Sequence, residues 1–142
     1  MSPMLRRLTL LLSALAVFGC SADENRENLI AASAIQLIAD PDKFEGQILV
    51  VHGYLQNKPT LRLFVSKDHA LGLDIPSSII VSDDTVDGGL TLSNCDDNYV
   101  QITGRFDRLE GVAWALKRVQ SVMLTSGSSI CWERSDMTLN TE

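Results

Sequence analysis

Three stretches of this chain between Leu61 and Leu116 set apolar residues at every second position, not at every third or fourth. A period of two sorts side chains onto the two faces of a strand and cannot build an amphipathic helix. Tyr99 to Phe106 alternates cleanly, with Val100, Ile102 and Phe106 on one side and Gln101, Thr103 and Arg105 on the other. Leu61, Leu63 and Val65 alternate with Arg62, Phe64 and Ser66, and Val112, Trp114 and Leu116 repeat the pattern. Ile79 to Val81 is a short further strand, and Ile48 to Leu55 is apolar on both faces, as in a strand covered on both sides. Val119 and Met123 fall on the opposite parity from Leu116, so a β-bulge is expected near Lys117 and Arg118. Five strands joined by tight turns such as Gln56-Asn57-Lys58-Pro59 imply a mainly β, antiparallel barrel or sandwich.

One short helix precedes the strands. Ser33 and Gln36 have the spacing of a capping box, in which each side chain satisfies the other's backbone donor. Ile35 and Ile38 are expected on one face of it, and Asp40-Pro41 ends it, because a residue before proline is pushed out of the helical region.

The first 19 residues are an address. Arg6 and Arg7 precede an apolar run from Leu8 to Phe18, which as a helix rises about 16 Å, half of what a bilayer core requires. A cleaved signal peptide is therefore expected. Val17, Phe18, Gly19 and Cys20 resemble the lipobox of bacterial lipoproteins, which implies that Cys20 becomes the lipidated first residue of the mature chain. Several acyl chains on one residue give stable anchoring where a single chain does not. Ser21, in place of Asp, implies the outer rather than the inner membrane.

Cysteine counting agrees. With Cys20 taken by lipid, Cys95 and Cys131 remain, and an oxidising compartment pairs them. The bridge closes a loop of about 35 residues and restricts the unfolded chain by roughly 3–4 kcal/mol. Residues 20–28 then form a polar tether, 29–132 the domain, and 133–142 a flexible tail.

Within the domain, the run from Ser33 to Gly46, then Val50-Val51-His52-Gly53-Tyr54-Leu55, then Tyr99-Val100-Gln101-Ile102-Thr103-Gly104-Arg105-Phe106 resembles a group of small bacterial envelope proteins with an OB-like barrel. The resemblance implies a five-stranded OB-like fold and no catalytic residues, and the pair Cys95 and Cys131 stands outside its pattern.

The whole chain has a formal charge of −6, and losing Arg6 and Arg7 takes the mature chain to −8. Such a surface repels phosphates, and single-strand binding needs a basic groove with stacking aromatics, so nucleic acid is excluded as a partner. Arg105, Arg108, Lys117 and Arg118, interleaved with Asp107 and Glu110, read as the solvated ends of a hairpin. His52 and His69 lie in unlike contexts, no serine occupies a Gly-x-Ser-x-Gly elbow, and a disulfide leaves no thiol nucleophile. No enzyme is expected. The most site-like feature is Asp83-Asp84-Thr85-Val86-Asp87-Gly88, where Asp83, Thr85 and Asp87 have the alternate oxygen ligands that calcium takes from a turning loop. The reading that competes with it, and that this composition favours, is an acidic turn guarding a strand edge. The function expected is a lipid-anchored periplasmic binding or structural module with an envelope-protein partner. The alternatives are an immunity or inhibitor lipoprotein steered to basic enzymes by its acidity, and a calcium- or ligand-binding module.

Overall fold

The computed structural model describes residues 29–82, 92 and 94–134. Seven strands and two short helices follow in the order β1 (Ile30–Ser33), α1 (Ala34–Ala39), β2 (Ile48–Asn57), β3 (Leu61–Phe64), α2 (Lys67–Leu71), β4 (Ser78–Val81), β5 (Asn98–Leu109), β6 (Ala113–Leu124) and β7 (Ile130–Glu133). All five expected strands are present. β1, β7 and α2 are additional, each of only four or five residues, too short for a period to register.

Five strands form a ring, β2–β3–β4–β6–β5, closed by β5 pairing back to β2. The expectation of a wholly antiparallel sheet is corrected here. β4 pairs β6 in parallel while the other four pairs of the ring are antiparallel. The reason is parity. Going once round a ring must restore the strand direction, so an odd number of strands cannot all alternate. Outside the ring, β1 lies parallel to β2 and β7 antiparallel to β6.

The core fills the ring with Leu49, Val51, Leu55, Leu63, Ile79, Val100, Ile102, Phe106, Leu116 and Val122, all essentially inaccessible to water. A Cβ at Gly53 would stand 2.6 Å from the Phe64 carbonyl oxygen and 2.7 Å from Leu63 Cγ, so β2 and β3 meet this closely only because position 53 is glycine. The expected bulge is present: between Thr103–Ser121 and Arg105–Lys117 one β5 residue faces three on β6, with Arg118 at φ 46°. Cys95 and Cys131 are bonded, their Cα atoms 5.7 Å apart, tying the turn before β5 to β7. Arg134 continues that edge, its N–H donating to the Gln120 carbonyl at 2.9 Å.

The capping box on Ser33 forms, and Ile35 and Ile38 share one face of α1, which is the outward one, while Ala34 and Leu37 are buried. Both pairs have helical spacing, and the entry of the chain from β1 decides between them. Phe64, expected outward, is fully buried with Tyr54 and Ala70, because α2 covers that side of β3. Coverage of the second face of β2 is confined to this end, since His52 is exposed. Val112 is exposed in the β5–β6 turn, not in a strand, where Gly111 adopts a positive φ.

The Tyr54 hydroxyl donates to the Asp97 carbonyl at 3.0 Å, and its ring meets Tyr99 edge-on at 5.2 Å. Burial, reinforced by the negative charge of Asp97 and Asp96, raises the Tyr54 phenol above its ordinary range. Tyr99 in turn accepts from the Lys67 N–H at 3.1 Å, which fixes the start of α2.

Candidate functional site

β3 and β4 run side by side, with Arg62 opposite Ile80, and α1 packs against β4. Between these elements and the start of β6 is a groove of about 210 Å³. Leu37, Ile38, Pro76, Ile80 and Trp114 are among the apolar residues of its wall. Its polar anchor is Arg62, whose Nη1 donates to Ser78 Oγ at 2.8 Å and whose Nε donates to Thr60 Oγ1 at 3.3 Å. Among the described residues no carboxylate forms an ion pair with Arg62. Its donors therefore meet only neutral oxygens, and a guanidinium in apolar surroundings interacts most strongly with a carboxylate. Ile38 is partly exposed at the rim, and Ile75 and Val112, next in sequence to lining residues, are exposed as well.

Trp114 holds the groove's far wall rigid. It stacks on Phe106 with ring centroids 5.1 Å apart and planes 9° from parallel, and the Arg108 guanidinium lies 4.2 Å from its centre. Arg108 is itself held by Asp42 at 3.2 Å and Glu45 at 3.6 Å.

The opposite face of the same hairpin is different. Neighbours along a strand point to opposite sides, so Arg105 and Asp107 turn away from Phe106. Together with Lys117 and Arg118 they line a polar cleft of about 330 Å³. The four basic residues that read as one hairpin-end group are thus divided, Arg108 to one side and the other three to the other.

The residues singled out by sequence fare unevenly. Cys95 and Cys131 are brought together in the disulfide. Cys20 and the loop residues Asp83, Thr85 and Asp87 lie outside the described residues. His52 stands on β2 opposite Ser33 and Gln101, while His69 is on α2, so the two belong to separate elements. His69 Nδ1 and Ser66 Oγ are 2.7 Å apart, but the Asp74 carboxylate is 3.9 Å from Nε2 and accepts instead from the Ser77 hydroxyl at 2.7 Å. That is beyond hydrogen-bond reach, and the Ser66–His69 pair is a local closure at the helix start. Among the described residues no group of three His, Cys, Asp or Glu side chains is placed to share a metal ion.

Arg62 went unnoticed in the sequence. Its signal is a cation inside Leu61-Arg62-Leu63-Phe64 with no acid within four residues on either side. No protein-family model matches this chain, and neither a curated protein nor a solved structure matches it.

Proposed function

We propose that this chain is a lipid-anchored, periplasmic, non-enzymatic binding module of the bacterial envelope, built on an OB-like barrel and docking a segment of another envelope protein. The ring of five strands with one parallel closure fits a five-stranded Greek-key barrel of that kind. In such barrels the face of the second and third strands, flanked by the first and last turns, is where ligands bind. Within the ring these strands are β3 and β4, and the groove lies on them, close to Thr60 of the β2–β3 turn and Ala113 beyond the β5–β6 turn.

The observation that carries the reading is the chemistry of this groove: apolar walls around one arginine with no acidic partner among the described residues. It suits an extended segment that inserts an apolar side chain beside a carboxylate. The leader ending at Gly19 and Cys20 supports the anchor, and Ser21 the outer membrane.

The test is crosslinking in the native envelope followed by affinity capture of the anchored protein. A single envelope protein is expected with the native chain and a loss of at least tenfold with Arg62→Glu or Ile80→Glu, both remaining folded by circular dichroism. Equal capture by the variants would overturn the docking site. A captured secreted hydrolase or toxin would assign the inhibitor role, and an assembly component the adaptor role. Cys20→Ser is expected to release the protein from the membrane, and unchanged retention would refute the anchor.

A further inference from the structure

On the outer face of the β5–β6 hairpin, Arg105 and Lys117 stand directly opposite each other across the ladder. Like charges in that position repel. Arg118, the next residue, is held at φ 46°, a conformation that costs a non-glycine residue on the order of 1 kcal/mol. The bulge that produces it depends on close backbone approach, since a Cβ at Gly104 would stand 3.0 Å from the Lys117 carbonyl oxygen. Arg105 Nη1 donates to the Gly46 carbonyl at 2.7 Å. None of Arg105, Lys117 and Arg118 forms an ion pair with a carboxylate among the described residues. The one acid in the cleft, Asp107, has its carboxylate turned onto the Arg108 backbone N–H at 2.7 Å. An acidic protein thus sets three cations without a carboxylate ion pair, and only one acid, around one cavity, at a cost to its own sheet.

From this we infer a second binding site, separate from the groove: the cleft formed by Arg105, Lys117 and Arg118 takes a tetrahedral oxyanion of the phosphate class. Arg105 presents a planar fork and Lys117 a point charge, the pair of donors suited to a phosphate's several oxygens. Arg118, exposed at the rim, closes over the third side. The same chemistry is offered by free phosphate and by the phosphodiester headgroup of a membrane lipid.

The probe is the full chain, isotope-labelled, in neutral detergent micelles, followed by amide chemical shifts. Inorganic phosphate is titrated at constant ionic strength in one arm, and the micelles are doped with phosphatidylglycerol in the other. Saturable shifts confined to Gly104, Arg105, Lys117, Arg118 and Val119 are expected, with at least a tenfold loss of affinity in Lys117→Gln/Arg118→Gln and none in Lys58→Gln. Saturation in the first arm supports the free anion, and saturation only in the second supports the headgroup. Shifts that are matched by chloride, spread over the chain, or persist in the double variant would overturn the site, as would none in either arm. Neither result bears on capture at the groove, so the two readings fail separately.

Discussion

Arg105 and Arg108 lie three residues apart on one strand and are used in opposite ways. Arg108 is held over the Trp114 ring and paired with Asp42 and Glu45. Arg105 faces another cation, Lys117, beside a residue in a strained backbone conformation. Strand pleat puts them on different faces, and the difference teaches that charge here has two employments. One arginine contributes to the fold by supporting the wall of the groove. The other belongs to a group whose members disfavour the sheet that carries them, which is the expected signature of groups retained for a ligand.

Stability measurements can break this contrast, and urea unfolding at low salt is the common assay. The largest effect is expected for Trp114→Ala, which removes the plate shared by Phe106 and Arg108. Because the ring is only partly buried, a loss of about 2–3 kcal/mol is expected. Arg108→Ala is expected to cost about 1 kcal/mol, from the stacking contact and two partly exposed ion pairs. A neutral result would mean that Arg108 is as dispensable to the fold as Arg105.

On the cleft face the sign reverses. Arg118→Gly relieves the positive φ against some added freedom in the unfolded chain, and a gain of about 0.5–1 kcal/mol is expected. Lys117→Glu turns a repulsive cross-strand pair into an attractive one, for a gain of about 0.5 kcal/mol that shrinks as salt is added. Destabilisation by both would show that the cleft cations support the sheet after all, and the contrast would fall.

Much of this arrangement was legible in the alternation. Three of the five strands follow from a period of two and the other two from short apolar runs, and the bulge at Lys117 and Arg118 follows from the parity slip between Leu116 and Val119. The pairing of Cys95 with Cys131 follows from the count once Cys20 is set aside. What stayed hidden depends on long-range placement. Phe64 sits in an outward register, and only α2, six residues in sequence beyond it at Ala70, makes that face interior. Ile35 and Ile38 have the same spacing as Ala34 and Leu37, so periodicity alone cannot choose the buried pair. The groove is assembled from α1, β3, β4, β5 and β6, and no local pattern marks residues that converge from five elements. The four basic residues near the hairpin were visible as a group, but only the register divides them into a structural arginine and a cleft.

The most direct test of the docking reading compares these two faces in one measurement. A photo-crosslinking residue is placed at Ile38, on the groove rim, and separately at Arg118, on the cleft rim, in the full chain in the envelope proposed for it. The expected result is one discrete protein adduct from position 38, mapping to an apolar segment that carries a carboxylate and lost in Arg62→Glu, with no such adduct from position 118. The same adduct from both positions, or none from position 38, would contradict the assignment of the groove as the docking site.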